Sequence, residues 1–298
     1  MTAIEGKAVP GGKGLKVVVN SSAGSGASSE EWLHAELPDA EVIGITDDLP
    51  MGRALERAAA AAAVIGISGG DGSVNAAAER ALDAGLPLAV FPGGTLNHFA
   101  RDLGLADAAD TVRALEAGTV VAIDVGTIDG KPFLNTASFG AYAAFVDARE
   151  RLESRLGKWA AAFVAAARVL RTVDPLTVEL DGRRSRVWMI FIGNCEYRPA
   201  GLVPTSRDRL DDGLLDVRYV DGNERGSRLR LLGALALGRL DRARGYRRAL
   251  VGSLDVHSLD GPLRLARDGE TFDGGVDVRV AKRPDRLTVY APGDAPRP

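Results

Sequence analysis

At 298 residues, with 46% hydrophobic and 26% charged residues, the chain has the length and composition of one large or two modest soluble domains. The single cysteine, Cys195, excludes an intramolecular disulfide and a thiolate-rich metal site and fits a reducing cytoplasm. No window has the roughly 20 uncharged apolar residues of a membrane span, and residues 1–14 lack the apolar core of a signal peptide. The net charge of −3 is uneven: Arg225 to Arg248 holds eight arginines and only Asp241 as an acid, so it carries +7 and the remainder −10.

From Leu15 to about Val121, buried-type strands alternate with alanine- and charge-rich helical stretches. Val17–Asn20, Val42–Thr46, Val64–Ser68 and Leu88–Phe91 read as strands, and this spacing predicts a doubly wound parallel sheet. After Val64–Ser68 comes Gly69-Gly70-Asp71-Gly72-Ser73-Val74-Asn75, opening a helix over Ala76–Leu82. A strand running through glycines into a helix points backbone N–H groups at a positive dipole end, where a phosphate binds without a basic side chain. Asp71 departs from a dinucleotide fingerprint: an acid beside bound phosphates needs Mg²⁺ or a transferable proton to relieve repulsion, which indicates phosphoryl transfer. A second turn, Pro92-Gly93-Gly94-Thr95-Leu96-Asn97, follows the next strand. Two such turns can meet over one ligand at the carboxyl edge of a parallel sheet.

Beyond about Asp124, strand-like segments cluster without helices between them: Val120–Ile128, Pro132–Ala137, Leu176–Leu180, Arg186–Ile192, Leu214–Val220, Leu263–Ala266, Val276–Val280 and Leu287–Tyr290. This predicts an α/β fold with an N-terminal domain over 1–123 and a mostly antiparallel β-sandwich domain over 124–298, whose last strand is free to pack on the first domain. Two helical insertions interrupt the second domain. In one, Trp159, Phe163, Ala166 and Leu170 share a face and read as core. The other, Leu229–Leu240, is apolar almost all round and flanked by arginines, which suits either an anionic membrane surface or a solvated helix end.

These pieces, together with Asn20-Ser21-Ser22-Ala23-Gly24-Ser25-Gly26, Asp211-Asp212-Gly213-Leu214-Leu215-Asp216 and Asp268-Gly269-Glu270, resemble the diacylglycerol kinase catalytic-domain family. That family includes bacterial lipid kinases and sphingosine kinases and is distantly similar to NAD kinases and 6-phosphofructokinases. The resemblance implies an ATP- and Mg²⁺-dependent kinase acting on a lipid hydroxyl, diacylglycerol-like or sphingoid-like, with the nucleotide between the domains. It implicates Asn20, Ser21, Ser22, Ala23, Gly24, Thr46, Gly69, Gly70, Asp71, Gly72, Ser73, Val74, Asn75 and Thr95 in nucleotide binding. Ser21 stands where proline is usual, which loosens one turn without removing its donors.

For catalysis the resemblance points to Glu270 as proton acceptor, with Asp268 close by, and to Asp71. A carboxylate serves an alcohol nucleophile by accepting the proton as the new bond forms. Asp-Gly is equally a hairpin turn signal. A structural ion is implied at Arg209, Asp212 and Leu214, through backbone carbonyls and the Asp212 carboxylate; the same residues also read as a turn into a strand. His98 stands where many relatives carry an aspartate that joins Asp71 and an acid near Asp124 around Mg²⁺. A mostly neutral imidazole does not replace an anionic oxygen for a hard cation. Either Asp71 and Asp124 suffice, or His98 touches phosphate, or the chain binds nucleotide without efficient turnover, or His98 merely begins a helix. The expected setting is the cytoplasm, peripheral at the inner membrane face, in phospholipid metabolism; a homodimer is compatible with it. Nucleic acid is not expected as a partner, since there is no basic stripe interleaved with aromatics. Two alternatives stay open: a soluble-metabolite kinase similar to NAD kinase, and a nucleotide-binding lipid sensor.

Overall fold

The computed structural model describes residues 3–20, 30–95, 97–140, 174–198, 206–222 and 245–292. In chain order the first elements are β1 (Ala3–Glu5), β2 (Leu15–Val19), α1 (Glu30–Glu36), β3 (Glu41–Gly44), α2 (Met51–Ala59), β4 (Val64–Gly69), α3 (Asp71–Ala84) and β5 (Leu88–Pro92). They are followed by α4 (His98–Asp102), α5 (Ala108–Ala117) and β6 (Thr119–Ile123). Strands then dominate: β7 (Gly126–Ile128), β8 (Lys131–Phe133), β9 (Thr136–Gly140), β10 (Leu176–Leu180), β11 (Arg183–Asn194), β12 (Tyr197–Arg198), β13 (Ser206–Arg207) and β14 (Leu215–Asp221). The last are β15 (Tyr246–Val251), β16 (Ser253–Ser258), β17 (Arg264–Arg267), β18 (Glu270–Asp273), β19 (Asp277–Lys282) and β20 (Leu287–Tyr290). The helical segments expected around Trp159–Leu170 and Leu229–Leu240, and the loop Ser21 to Gly24, lie outside the described residues.

The chain divides into two compact units. The first comprises Met1–Val125, Asp208–Asp212 and Arg283–Pro298, and the second Gly126–Arg207 and Gly213–Lys282. In the first unit a seven-stranded sheet runs β1-β6-β20-β5-β4-β2-β3. The core β5-β4-β2-β3 is parallel, β20 joins β5 in parallel, and the pairs β20–β6 and β6–β1 are antiparallel. Every residue of β4 and β5 is buried, as expected of strands covered on both faces. Helices end where glycine permits a left-handed residue, at Gly85 after α3 and Gly118 after α5. Asp107 begins α5 with a capping box closed by Asp110.

The second unit is an eleven-stranded antiparallel sheet, order β18-β17-β9-β11-β10-β16-β19-β7-β8, with β14 paired to β11 and β15. Its strands alternate: β16 buries Leu254, Val256 and Ser258, and β19 buries Val278 and Val280. One face encloses a core that joins Ile128, Phe133 and Phe139 to Ile190, Val217, Leu265 and Val280, so the sheet curls around its own apolar face.

The expected strand Val120–Ile128 is broken in two at Asp124–Val125, and its halves join different sheets. The expected strand Pro132–Ala137 is likewise broken, by a bend at Leu134–Asn135. In each case a polar residue stands inside a largely apolar run, Asp124 or Asn135, and its backbone N–H leaves the ladder, for Leu210 O and for the Asp268 carboxylate respectively.

Candidate functional site

Within the first unit the two glycine turns lie at the carboxyl ends of the adjacent parallel strands β4 and β5. The Gly93 N–H donates to Gly69 O at 3.1 Å. A Cβ on Gly94 would stand 2.6 Å from Gly70 Cα, so the backbones touch at a separation no side chain permits. Asn97, itself left-handed at φ 48°, closes the second turn: Gly94 N–H donates to its Oδ1 at 2.9 Å and its Nδ2 donates to Gly94 O at 2.7 Å.

Helix α3 starts at Asp71, and its first intrahelical bond is Val74 N–H to Gly70 O at 3.0 Å. The N–H groups of Asp71, Gly72 and Ser73 thus precede the helical ladder, at the positive end of a 14-residue helix with no side-chain cap. Asn20, one residue past β2, gives Nδ2 to Ser73 Oγ at 2.9 Å and its backbone N–H to Ser68 O at 2.9 Å. Asn75 is buried at 5% exposure, with Oδ1 among the few buried polar atoms lacking a partner among the described residues. Thr95 is exposed in the second turn. Thr46 is exposed after β3, with its hydroxyl accepting the Leu49 N–H at 3.1 Å.

Asp71 has a role that the motif did not reveal. Its carboxylate accepts the backbone N–H groups of His98 at 3.3 Å and Phe99 at 3.2 Å. It therefore caps the short helix α4 across 27 residues of sequence and ties the second turn to the first. Each oxygen takes one amide and retains a lone pair. The His98 side chain is exposed.

Asp124 is buried just after β6. Its N–H donates to Leu210 O at 2.7 Å, and its Oδ1 accepts Arg286 Nε at 2.9 Å. The carboxylate oxygens of Asp124 and Asp212 lie within 4.8 Å of one another, and Arg209 pairs through its guanidinium with Asp211 at 3.0 Å. Arg286 thus supplies positive charge to the pair. In the second unit, Leu214 O accepts the Cys195 N–H at 3.0 Å.

Asp268 and Gly269 form a two-residue hairpin between β17 and β18, both with positive φ at 43° and 90°. Glu270 follows as the exposed first residue of β18, the last strand in the sheet order among the described residues. Asp268 is not exposed with it. Its carboxylate accepts three backbone N–H groups, from Leu134, Asn135 and Thr136, each at 2.8 Å. Burial raises its pKa, against the pull of these amides and of Arg207. Both oxygens are committed to holding backbone, which makes Asp268 an anchor for the hairpin.

Sequence reasoning missed the buried polar residues behind that hairpin: Asn135, Asn194, Arg207 and the ion group around Asp216. Asp216 and Arg218 are fully buried and paired at 2.6 Å. Arg248 bonds the same carboxylate and Glu196, each at 2.9 Å, and the Tyr197 N–H donates to Asp216 at 3.0 Å. Burial raises the Asp216 pKa, but Arg218, Arg248 and Tyr197 together leave it below the ordinary carboxylate value. The one sequence signal was an Asp and an Arg two residues apart in a strand whose other residues, up to Asp221 at its end, are apolar or aromatic.

Two touching glycine turns at the carboxyl ends of parallel strands, in a chain whose antiparallel β unit carries an acidic hairpin, are the class of architecture found here. Comparison with known proteins gives the family. Residues 14–128 match the diacylglycerol kinase catalytic domain, and residues 135–291 match the YegS C-terminal NAD kinase beta sandwich-like domain. A probable YegS-like lipid kinase of Pseudomonas aeruginosa UCBPP-PA14 is 33% identical over 257 residues, covering 81% of this chain and 80% of its own. One from Pseudomonas syringae pv. syringae B728a is 32% identical over 240 residues, covering 76% and 75%. A solved structure titled a putative diacylglycerol kinase, from Bacillus anthracis, shares the fold with TM-score 0.67 and 21% identity over 93% of this chain and 97% of that one. The chain belongs to the diacylglycerol kinase catalytic-domain family, in its YegS-like lipid kinase branch.

Proposed function

We propose that this protein is an ATP-dependent lipid kinase that transfers the γ-phosphate to a lipid hydroxyl, diacylglycerol-like or sphingoid-like. The observation that carries the reading is the contact between the two glycine turns, Gly69–Gly70 and Gly93–Gly94, beside the uncapped start of α3. Preorganised N–H donors aimed at phosphate oxygens stabilise developing charge without reorganising during the reaction.

In this reading the first-turn amides of α3, with Asn20 and Ser73 fixed against each other, hold the nucleotide phosphates. The lipid hydroxyl oxygen forms a bond to the γ-phosphorus as the bond to the β–γ bridging oxygen breaks. ADP leaves, and the hydroxyl proton passes to Glu270. Asp71 fits an Mg²⁺ held chiefly by phosphate oxygens and water, because each carboxylate oxygen keeps a free lone pair; the ion would neutralise phosphate charge. Among the described residues no helix is long and apolar enough to cross a membrane, so a lipid acceptor would be met by peripheral association. The arginine-rich segment that would favour anionic lipid lies largely outside the described residues.

The test is transfer of labelled γ-phosphate from ATP and Mg²⁺ to a total lipid extract, comparing wild type with Asp71→Asn and Glu270→Gln. Labelled lipid from wild type, lost in both variants, is the expected result. Intact nucleotide binding with no labelled lipid would refute it, and label appearing instead in a soluble acceptor would move the chain to the NAD kinase-like alternative.

A further inference from the structure

Behind the β17–β18 hairpin, the bend between β8 and β9 is gripped from both sides. On its N–H side stands the Asp268 carboxylate, with the amides of Leu134, Asn135 and Thr136 at 2.8 Å. On its carbonyl side stands Arg207, 4% exposed. Its Nη1 donates to Leu134 O at 2.6 Å and to Asn194 O at 3.0 Å, and its Nη2 to Asn135 Oδ1 at 2.7 Å. The peptide group linking Leu134 to Asn135 therefore lies between an anion and a cation: its C=O faces the guanidinium and its N–H faces the carboxylate. Both hydrogen bonds are charge-assisted, and each polarises the peptide so as to strengthen the other. Asn194 Nδ2 also donates to Leu134 O at 3.0 Å, and the Arg207 guanidinium lies over the Tyr197 ring at 4.9 Å.

The hairpin is anchored through the same residues. The Asp268 N–H donates to Thr136 O at 2.8 Å, Arg267 pairs with Ala137 across the sheet, and Arg267 Nη1 donates to Pro132 O at 2.7 Å. Glu270 is two residues from Asp268, on a strand that among the described residues stands at the end of the sheet, beside β17. Its position is set by how firmly Asp268 is held, and that depends on a bend whose opposite side Arg207 fills.

We infer that Arg207 is a positioning residue for Glu270, acting through the Leu134–Asn135 peptide and Asp268. This rests on Glu270 being the proton acceptor of the preceding section. The test compares Arg207→Met, Arg207→Lys and Glu270→Gln with wild type in the full chain. Three quantities are measured: the rate of phosphoryl transfer to lipid, the affinity for a non-hydrolysable ATP analogue, and amide hydrogen exchange over residues 134–136 and 267–272. Arg207→Met is expected to accelerate exchange in both segments at least tenfold and to lower kcat at least tenfold, with analogue affinity within twofold of wild type. Arg207→Lys, which keeps the charge but not the fork that reaches several acceptors, should recover part of both effects. Unchanged exchange in Arg207→Met would overturn the clamp. Faster exchange with unchanged kcat would overturn the positioning role. If Glu270→Gln keeps the wild-type rate, the assignment of the base is wrong, and the exchange measurement still decides whether Arg207 holds the hairpin.

Discussion

Replacing Gly94 by alanine tests whether the contact between the glycine turns makes the phosphate site. The added methyl would lie 2.6 Å from Gly70 Cα, 2.9 Å from Asn97 Oδ1 and 3.4 Å from Gly70 N. Carbon atoms pack at about 3.5–4.0 Å, so the turns must part by roughly 1 Å, and the obstacle is backbone that no rotamer change can clear. Overpacking of this kind costs about 1–3 kcal/mol, and weakening the Gly94–Asn97 and Gly93–Gly69 hydrogen bonds adds about 0.5–1.5 kcal/mol each. The expected destabilisation is about 2–6 kcal/mol, a fall in Tm of roughly 5–20 °C. Nucleotide affinity, read by titration with an ATP analogue, should weaken at least tenfold. Gly70→Ala is the control for stability, because its methyl would meet Gly94 Cα at an ordinary 3.5 Å. A Gly94→Ala protein that melts with wild type and binds nucleotide equally well would refute the reasoning.

Other expectations follow from charges described above. Asp216 has a folded pKa below its unfolded value of about 3.9, so it contributes stability above that value which is lost as pH falls through the folded pKa. Asp216→Asn should cost about 3–5 kcal/mol near neutral pH by removing the anion that faces the buried Arg218 guanidinium, and should flatten the dependence of Tm on pH below about 4. An equally steep acid limb in the variant would count against this. Asp277, 2.6 Å from His257 Nδ1, raises the imidazole pKa above 6.5, so the pair contributes below the unfolded pKa and is lost as pH rises through the folded one. An NMR titration of His257 should shift to lower pH in Asp277→Asn, and an unmoved midpoint would exclude the pairing. His98→Asp places a second carboxylate beside Asp71 and is expected to lower, several-fold, the Mg²⁺ concentration for half-maximal transfer. Unchanged Mg²⁺ dependence would show that position 98 does not limit ion binding.

The parallel strands were legible because burial on both faces leaves runs such as Val64–Gly69 with hardly a polar residue, and glycines mark where they stop. The strands Tyr246–Val251 and Ser253–Ser258 were not, since exposed positions in Tyr-Arg-Arg-Ala-Leu-Val and Ser-Leu-Asp-Val-His-Ser carry charges that mask their alternation. At the site, the glycine turns were readable as a pattern, but the work of individual acids was not. Asp71 caps a helix 27 residues away, and Asp268 holds amides more than 130 residues away. Arg207 left no signal at all, because it bonds the backbone carbonyls of Leu134 and Asn194, a group that every residue has.

The place of β20 has a consequence for the nascent chain. It lies between β5 and β6, so the interior of the first sheet is completed by almost the last residues described, Leu287–Tyr290. At about 5–20 residues per second, the ribosome needs roughly 10–40 s after finishing Pro92 to deliver that strand. Until then the flanks of β5 and β6 are open edges able to pair with another chain. Removing β20 would therefore split the sheet, and residues 1–125 alone would expose a seam where the full chain has its core.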